Sequence, residues 1–145
     1  MQNKPVILLS LLLALFLILI VSIQASAYDA MTQVPYTDIA VTKITINPKN
    51  PELGDKVEAE ITIKNLGDVT AGVTYVYGVS GPGWGFGSSN RPYCLELEPD
   101  EEYIVRMSFI ASDVGGYRIN ARIVGVFIHD TNVKNNRREL VFNVD

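Results

Sequence analysis

The sequence predicts an all-β fold, and two observations carry this prediction. Apolar and polar residues alternate with a period of two in segments that recur about every ten to fifteen residues, with turn-forming residues between them. No helical periodicity of useful length follows the first 27 residues. Seven strands at this spacing are typical of an immunoglobulin-like β-sandwich, here preceded by an N-terminal hydrophobic helix.

The first 27 residues have the pattern of an export signal. Lys4 precedes an uncharged apolar run from Val6 to Ile23, and Ala25 and Ala27 occupy the positions that signal peptidase reads. This pattern predicts cleavage before Tyr28. The run is also long enough to cross the ~30 Å hydrocarbon core of a bilayer, so retention as a membrane anchor stays open. In both cases we expect the following residues outside the cytoplasm, secreted or at the cell surface.

The remaining chain is the size of one domain, with residues 28–36 as a short N-terminal segment and 37–145 as the sandwich. Without Lys4 it has 11 Lys and Arg against 16 Asp and Glu, a net charge of −5, which disfavours nucleic-acid binding and leaves the N-terminal segment as the only predicted contact with a membrane. Cys94 is the only cysteine, so no intramolecular disulfide is available. We interpret it as a small buried apolar side chain, with an intermolecular disulfide as the alternative.

The strands follow in order from residue 39. In the first, Ile39 and Val41 share one parity and Ile44 and Ile46 the other, which predicts a bulge or a switch between sheets near Thr42. The second, from Lys56 to Lys64, has the clearest alternation. Its predicted core residues and those of the later strands are Val57, Ala59, Ile61 and Ile63; Val73, Tyr75, Tyr77 and Val79; Tyr103, Val105, Met107 and Phe109; Tyr117, Ile119, Ala121 and Ile123; and Leu140, Phe142 and Val144.

Six short motifs in this order resemble the CARDB family, the cell-adhesion-related domains found in bacteria and archaea. They are Asp38-Ile39-Ala40-Val41-Thr42, Asn50-Pro51 with Leu53-Gly54-Asp55, the hairpin from Ile63 to Gly72, Leu97-Glu98-Pro99-Asp100-Glu101, Gly116-Tyr117, and the asparagine-rich turn from Asp130 to Asn136. The family turn usually carries Gly where this chain has Asp100, a residue that tolerates the left-handed conformation. The resemblance implies a noncatalytic extracellular adhesion or envelope-interaction module.

The segment from Ser80 to Pro92 has no counterpart among these motifs. It contains four glycines and two large aromatic residues, Trp84 and Phe86, and it predicts a loop. With the adjacent Tyr93, these rings are candidates for contact with a sugar or a protein partner. The alternative is a structural loop that covers one end of the core.

Catalytic and metal-binding constellations are few. The chain has one histidine, His129, and one cysteine, Cys94, and no further residues of either type from which a catalytic triad could be built. We therefore predict no enzyme activity and no cofactor. The acidic residues from Glu96 to Glu102 lack the spacing of an EF-hand loop and are typical of a solvated turn. A metal site that uses Glu98, Asp100 and Asp130 is the alternative.

The sequence is compatible with three functions. The first is the adhesion or interaction module, whose partner would be a protein or glycan of the cell surface or envelope. The second is a self-associating subunit of a filament or surface layer, in which residues 28–36 add as a strand to a neighbour. The third is a carbohydrate-binding accessory domain that uses the loop with Trp84 and Phe86.

Overall fold

The computed structural model describes residues 12–22, 34–88, 93–126 and 129–145, and it divides into two compact units, Met1–Val34 and Pro35–Asp145. Residues 12–22 form a helix, as predicted for the hydrophobic segment, and Ser22 donates its hydroxyl to the carbonyl of Ile18 at 2.8 Å. Within the described ranges, no helix is both long and apolar enough to span a bilayer. The predicted cleavage residues Ala25 and Ala27 lie outside the described residues.

The second unit is a two-layer β-sandwich, and the predicted all-β fold is confirmed. Its described strands are β1 (Ile39–Asn47), β2 (Lys56–Asn65), β3 (Ala71–Gly81), β4 (Trp84–Ser88), β5 (Tyr93–Leu97), β6 (Glu102–Ile110), β7 (Gly115–Val126) and β8 (Arg137–Val144), with a 3-10 turn at Val133–Asn135. One antiparallel sheet has the order β1-β2-β6. The other has the order β4-β3-β7-β8, and β5 also pairs with β3.

The core lies between the two sheets and follows the predicted parity. All the predicted inward residues of β2 and β7 are buried, because alternate side chains of each strand face the opposite sheet. An aromatic group closes one part of this core, where the Tyr117 ring stacks on Phe109 at 5.8 Å and on Phe142 at 5.7 Å between centroids. The Tyr117 hydroxyl accepts a hydrogen bond from the Asp113 amide at 3.2 Å.

The phase change in β1 is a bulge, as predicted. The register with β2 shifts between Val41 and Lys43, so the side chains on either side of the shift can both face the core. Beside the bulge, Arg138 of β8 donates from Nε to the carbonyl of Val41 at 3.0 Å. This hydrogen bond joins the β1 edge of one sheet to the β8 edge of the other.

The glycine-rich segment differs from the predicted loop. β3 continues to Gly81, the chain turns at Pro82 and Gly83, and Trp84–Ser88 returns as β4 against the last part of β3. β5 pairs with the first part of the same strand, from Ala71 to Tyr75. Backbone hydrogen bonding therefore gives these residues a strand conformation that their glycine content disfavours, and the described residues form eight strands where seven are predicted.

The turn between β2 and β3 is held by a buried asparagine. Asn65 is fully buried, and its Nδ2 donates to the carbonyls of Val69 at 2.8 Å and Leu97 at 3.0 Å. Its Oδ1 accepts from the Gly67 amide at 2.9 Å. A Cβ atom at Gly67 would lie 2.6 Å from the Tyr36 carbonyl oxygen, so only glycine fits here. These contacts give a physical reason for the Asn and Gly of the hairpin motif.

The chain enters the sandwich beside this turn. The Tyr36 amide donates to Asp68 Oδ1 at 2.7 Å, and the Tyr36 carbonyl accepts from the Asp68 amide at 3.1 Å. Thr37 forms a parallel bridge with Asp130. Residues 36 and 37 are therefore bound to their own domain, and a strand donated to a neighbour would have to end before Tyr36.

Candidate functional site

Four tyrosines pack together on the side of the sandwich where β5 and β6 are the edge strands. We call Tyr75, Tyr77, Tyr93 and Tyr103 the tyrosine cluster. The Tyr93 ring lies 5.5 Å from the ring of Tyr75 and 5.6 Å from that of Tyr77, with interplanar angles of 22° and 21°. The Tyr103 ring is 6.2 Å from Tyr75 and inclined by 54°. The cluster is thus a near-parallel group of three rings with a fourth ring tilted against it.

Strand register explains why these rings meet. Tyr75 and Tyr77 share the core-facing parity of β3, and Tyr93 is the direct partner of Tyr75 across the β3–β5 pair. Tyr103 belongs to the other sheet, where it pairs with Ile63 on the inward side of β6. The cluster therefore bridges the gap between the two sheets at their open side.

Exposure differs across the cluster. Tyr75 is buried and Tyr77 is half-buried, whereas Tyr93 is 42% exposed and Tyr103 44% exposed. The buried rings fix the outer rings by stacking, so the exposed faces are held in place before a ligand arrives. A preformed aromatic surface of this kind loses little conformational entropy on binding.

Burial raises the pKa of the Tyr75 hydroxyl well above its ordinary value, and charge repulsion and a hydrogen bond with Tyr103 raise it further. Burial also raises the pKa of Tyr77, with a hydrogen bond to Tyr93 as the next cause. Both phenols are therefore neutral at physiological pH. The cluster offers aromatic faces and neutral hydroxyls that can donate and accept hydrogen bonds.

Of the three predicted contact residues, the structure places Tyr93 in this cluster. Trp84 and Phe86 lie on β4, but their side chains are outside the described part of the chain. Their sequence pattern predicts Tyr75, Tyr77 and Tyr103 only as core residues. Their matching parity was visible, but the juxtaposition depends on strand order, which one sequence does not supply.

Cys94 is exposed, and its interpretation as a buried side chain was wrong. It alternates with Tyr93 and Leu95 on β5, so it faces outward with Glu96, and its Sγ lies 3.5 Å from Thr74 Oγ1. The parity shared with Glu96 was the signal that could have placed it correctly. His129 is also exposed, and no described hydrogen bond joins it to Cys94.

The predicted acidic residues serve turns in this structure. Glu101 accepts from the Glu98 amide at 2.8 Å, and Asp100 has a φ of 63°, the left-handed conformation expected for it. Asp130 is buried, with Oδ1 accepting from the Asn132 amide at 2.9 Å and Oδ2 from the Ile39 amide at 3.3 Å. In the described residues, no three His, Cys, Asp or Glu side chains are placed to hold a metal ion, so the alternative site at Glu98, Asp100 and Asp130 does not form.

The solved structures similar to this chain include the CARDB domain of a Pyrococcus furiosus protein. Its crystal structure, in complex with di-metal ions, has 24% sequence identity and a TM-score of 0.62, and the match covers 78% of this chain and 97% of that one. This chain has a CARDB-like fold. A solution structure of the same CARDB domain agrees, with 26% identity, a TM-score of 0.57, and coverage of 77% and 97%.

A more distant match shares only the fold of the CARDB-like domain. It is a β-glucosidase from Erythrobacter marinus with 13% identity and a TM-score of 0.51, where the match covers 75% of this chain and 16% of the enzyme. No family model and no curated protein matches the sequence. The CARDB resemblance of the six motifs is thus supported by structure.

Proposed function

We propose that this CARDB-like domain is a noncatalytic interaction module that acts outside the cytoplasm, secreted or at the cell surface, and binds a neutral glycan through the tyrosine cluster. The export pattern of the first 27 residues supports the location. The observation that carries the binding function is the pair of exposed rings of Tyr93 and Tyr103, held on buried Tyr75 across the two sheets.

A sugar is the ligand that these groups fit. The apolar C–H face of a pyranose ring packs on an aromatic face, and its hydroxyls need partners that donate and accept. A charged ligand would find no counter-ion in the cluster, because all four side chains are phenols. A neutral hexose polymer satisfies both the faces and the hydroxyls.

The test is glycan binding by single-tyrosine variants of the full chain. Neutral β-glucan and mannan oligosaccharides are titrated into the wild type, Tyr93→Ala and Tyr103→Ala by calorimetry. We expect each substitution to weaken binding by up to about tenfold, because a stacked aromatic ring contributes roughly 0.5–1.5 kcal/mol beyond its buried area. Tyr103→Phe should retain most of the affinity, since it keeps the aromatic face.

A matched control is Tyr36→Ala. Tyr36 is 41% exposed, nearly as exposed as Tyr93, but it lies where the chain enters the sandwich. None of the described ring contacts of the tyrosine cluster includes Tyr36. Its substitution should leave glycan binding unchanged. Equal loss of affinity in all three alanine variants, or the absence of glycan binding by a folded wild type, would contradict the proposal.

A further inference from the structure

A second surface has the opposite electrostatic character to the rest of the molecule. The outer face of the β7–β8 pair carries Arg118, Arg122 and Arg137, while the chain as a whole has a net charge of −4. Arg122 and Arg137 are direct partners in the ladder. Like charges in directly opposed positions destabilise a sheet, so this pair costs folding free energy unless an anion offsets it.

Only part of this charge is neutralised within the domain. Glu139 accepts from Arg137 Nη2 at 2.7 Å and lies 3.7 Å from Arg118 Nη1. Arg122 forms no ion pair with any carboxylate of the described residues. Its guanidinium is therefore free to bind a carboxylate in the bidentate geometry that this group favours.

Arg122 and Arg137 line a groove of about 550 Å³, a volume in the range of ligand sites. Val124 and Val133, which are 44% and 69% exposed, provide apolar surface there, and His129 also borders the groove. Asp130 lines it as well, where its two oxygens accept backbone amides, and within the described residues it forms no ion pair with Arg122 or Arg137. The groove thus combines the guanidinium of Arg122, the guanidinium of Arg137 that also pairs with Glu139, apolar walls, an imidazole and the amide-bound carboxylate of Asp130.

From this combination we infer that the groove binds the uronate carboxylates of an acidic polysaccharide. The guanidinium groups of Arg122 and Arg137 donate hydrogen bonds to the carboxylate. The imidazole of His129 forms hydrogen bonds with the sugar hydroxyls. An acidic peptide fits less well. The groove lies on the face of β7, whose backbone already pairs with β3 and β8, so an extended peptide finds no free ladder to join.

The experiment is affinity electrophoresis and calorimetry of the full chain with polygalacturonate at about 0.01 M ionic strength, where charges act over ~30 Å. We expect Arg122→Gln to weaken binding about tenfold or more and Arg122→Glu to abolish it, since hydrogen bonds to charged groups are strong. The melting temperature of Arg122→Gln should be unchanged or higher, because the repulsion from Arg137 is relieved. A residue with a purely structural role would lower it.

Arg106→Ala is the matched control. Arg106 is also a strand arginine with an exposed side chain, but its Nε is paired with Glu60 at 3.0 Å on the other sheet. Its substitution should leave polygalacturonate binding unchanged. Monomeric galacturonate is a second probe, and weaker binding of the monomer than of the polymer is expected for a groove that engages several units.

Three results would overturn the inference. These are no binding of polygalacturonate by the folded wild type, equal affinity of wild type and Arg122→Glu, and binding of poly-glutamate in preference to polygalacturonate. Tyr93→Ala serves to separate the two surfaces. This variant should lose binding of neutral glycan and retain binding of polygalacturonate. Either proposal can therefore fail without the other.

Discussion

Asn65 is fully buried, and both its side chain and its backbone form hydrogen bonds with neighbouring turns. Its amide nitrogen serves two carbonyls and its oxygen one amide, while its backbone amide and carbonyl bind Glu101 and Asp100 at 3.1 and 3.0 Å. It therefore fastens the β2–β3 turn to the β5–β6 turn. The second of these turns leads into β6, which carries Tyr103 of the tyrosine cluster.

We expect Asn65→Ala to lower the free energy of unfolding by about 3 kcal/mol, because two buried carbonyls and one amide lose their partners. Urea denaturation followed by circular dichroism measures this change. Asn120→Ala is the control, since Asn120 on β7 donates only to the exposed Glu139 at 2.9 Å. A loss of equal size in the control would show that Asn65 has no special role.

At the scale of the element, the end of β3 depends on a glycine. A Cβ atom at Gly81 would lie 2.5 Å from Cε1 of Tyr117. That ring is fully buried and stacked on two phenylalanines, so it cannot move aside. The absence of a side chain at Gly81 is therefore what allows β3 to reach the turn into β4.

Gly81→Ala should destabilise the domain by about 1–3 kcal/mol, the usual cost of overpacking a core. Thermal unfolding followed by calorimetry measures it. Gly116→Ala is the matched strand glycine, because a Cβ there meets only Asn143 Oδ1 at 3.8 Å. This control should be neutral or slightly stabilising, since alanine restricts the unfolded chain. Destabilisation by Gly116→Ala alone would contradict the packing argument.

The elements also show what the sequence could predict. The bulge in β1 could be predicted because four apolar residues show the change of parity. The inward faces of β2 and β7 could be predicted from the alternation of apolar and polar residues. The strand β4 could not be predicted, because glycines interrupt its side-chain pattern and its strand conformation comes from pairing with β3. Of the tyrosine cluster, Tyr93 was predicted as a contact residue, whereas its partners come from three positions on two other strands that only the sheet order brings together.

At the scale of the whole molecule, the raised pKa values of Tyr75 and Tyr77 link stability to alkaline pH. The unfolded chain ionises its tyrosines near their ordinary pKa of about 10, whereas the folded domain keeps these two neutral. Their contribution to stability is therefore fully present below pH ~10 and is lost as the pH rises above it.

We expect alkaline unfolding above pH ~10, with at least two of the 7 tyrosines ionising only as the protein unfolds. Absorbance of the phenolate and circular dichroism in one titration measure both events. Tyr75→Phe should remove part of this pH dependence of stability. Ionisation of all the tyrosines in a single step near their ordinary pKa, with the fold intact, would contradict this prediction.

The two attachment points of the sandwich have a mechanical consequence. The chain enters at Tyr36 beside the β2–β3 turn, while Asp145 is held at the opposite end, where its amide donates to Pro51 at 3.3 Å and its carbonyl accepts from Leu53 at 3.0 Å. A pull between these points runs along the strands. The hydrogen bonds of the β1–β2 pair then share the load in shear instead of opening one after another, so the sandwich resists extension along this direction.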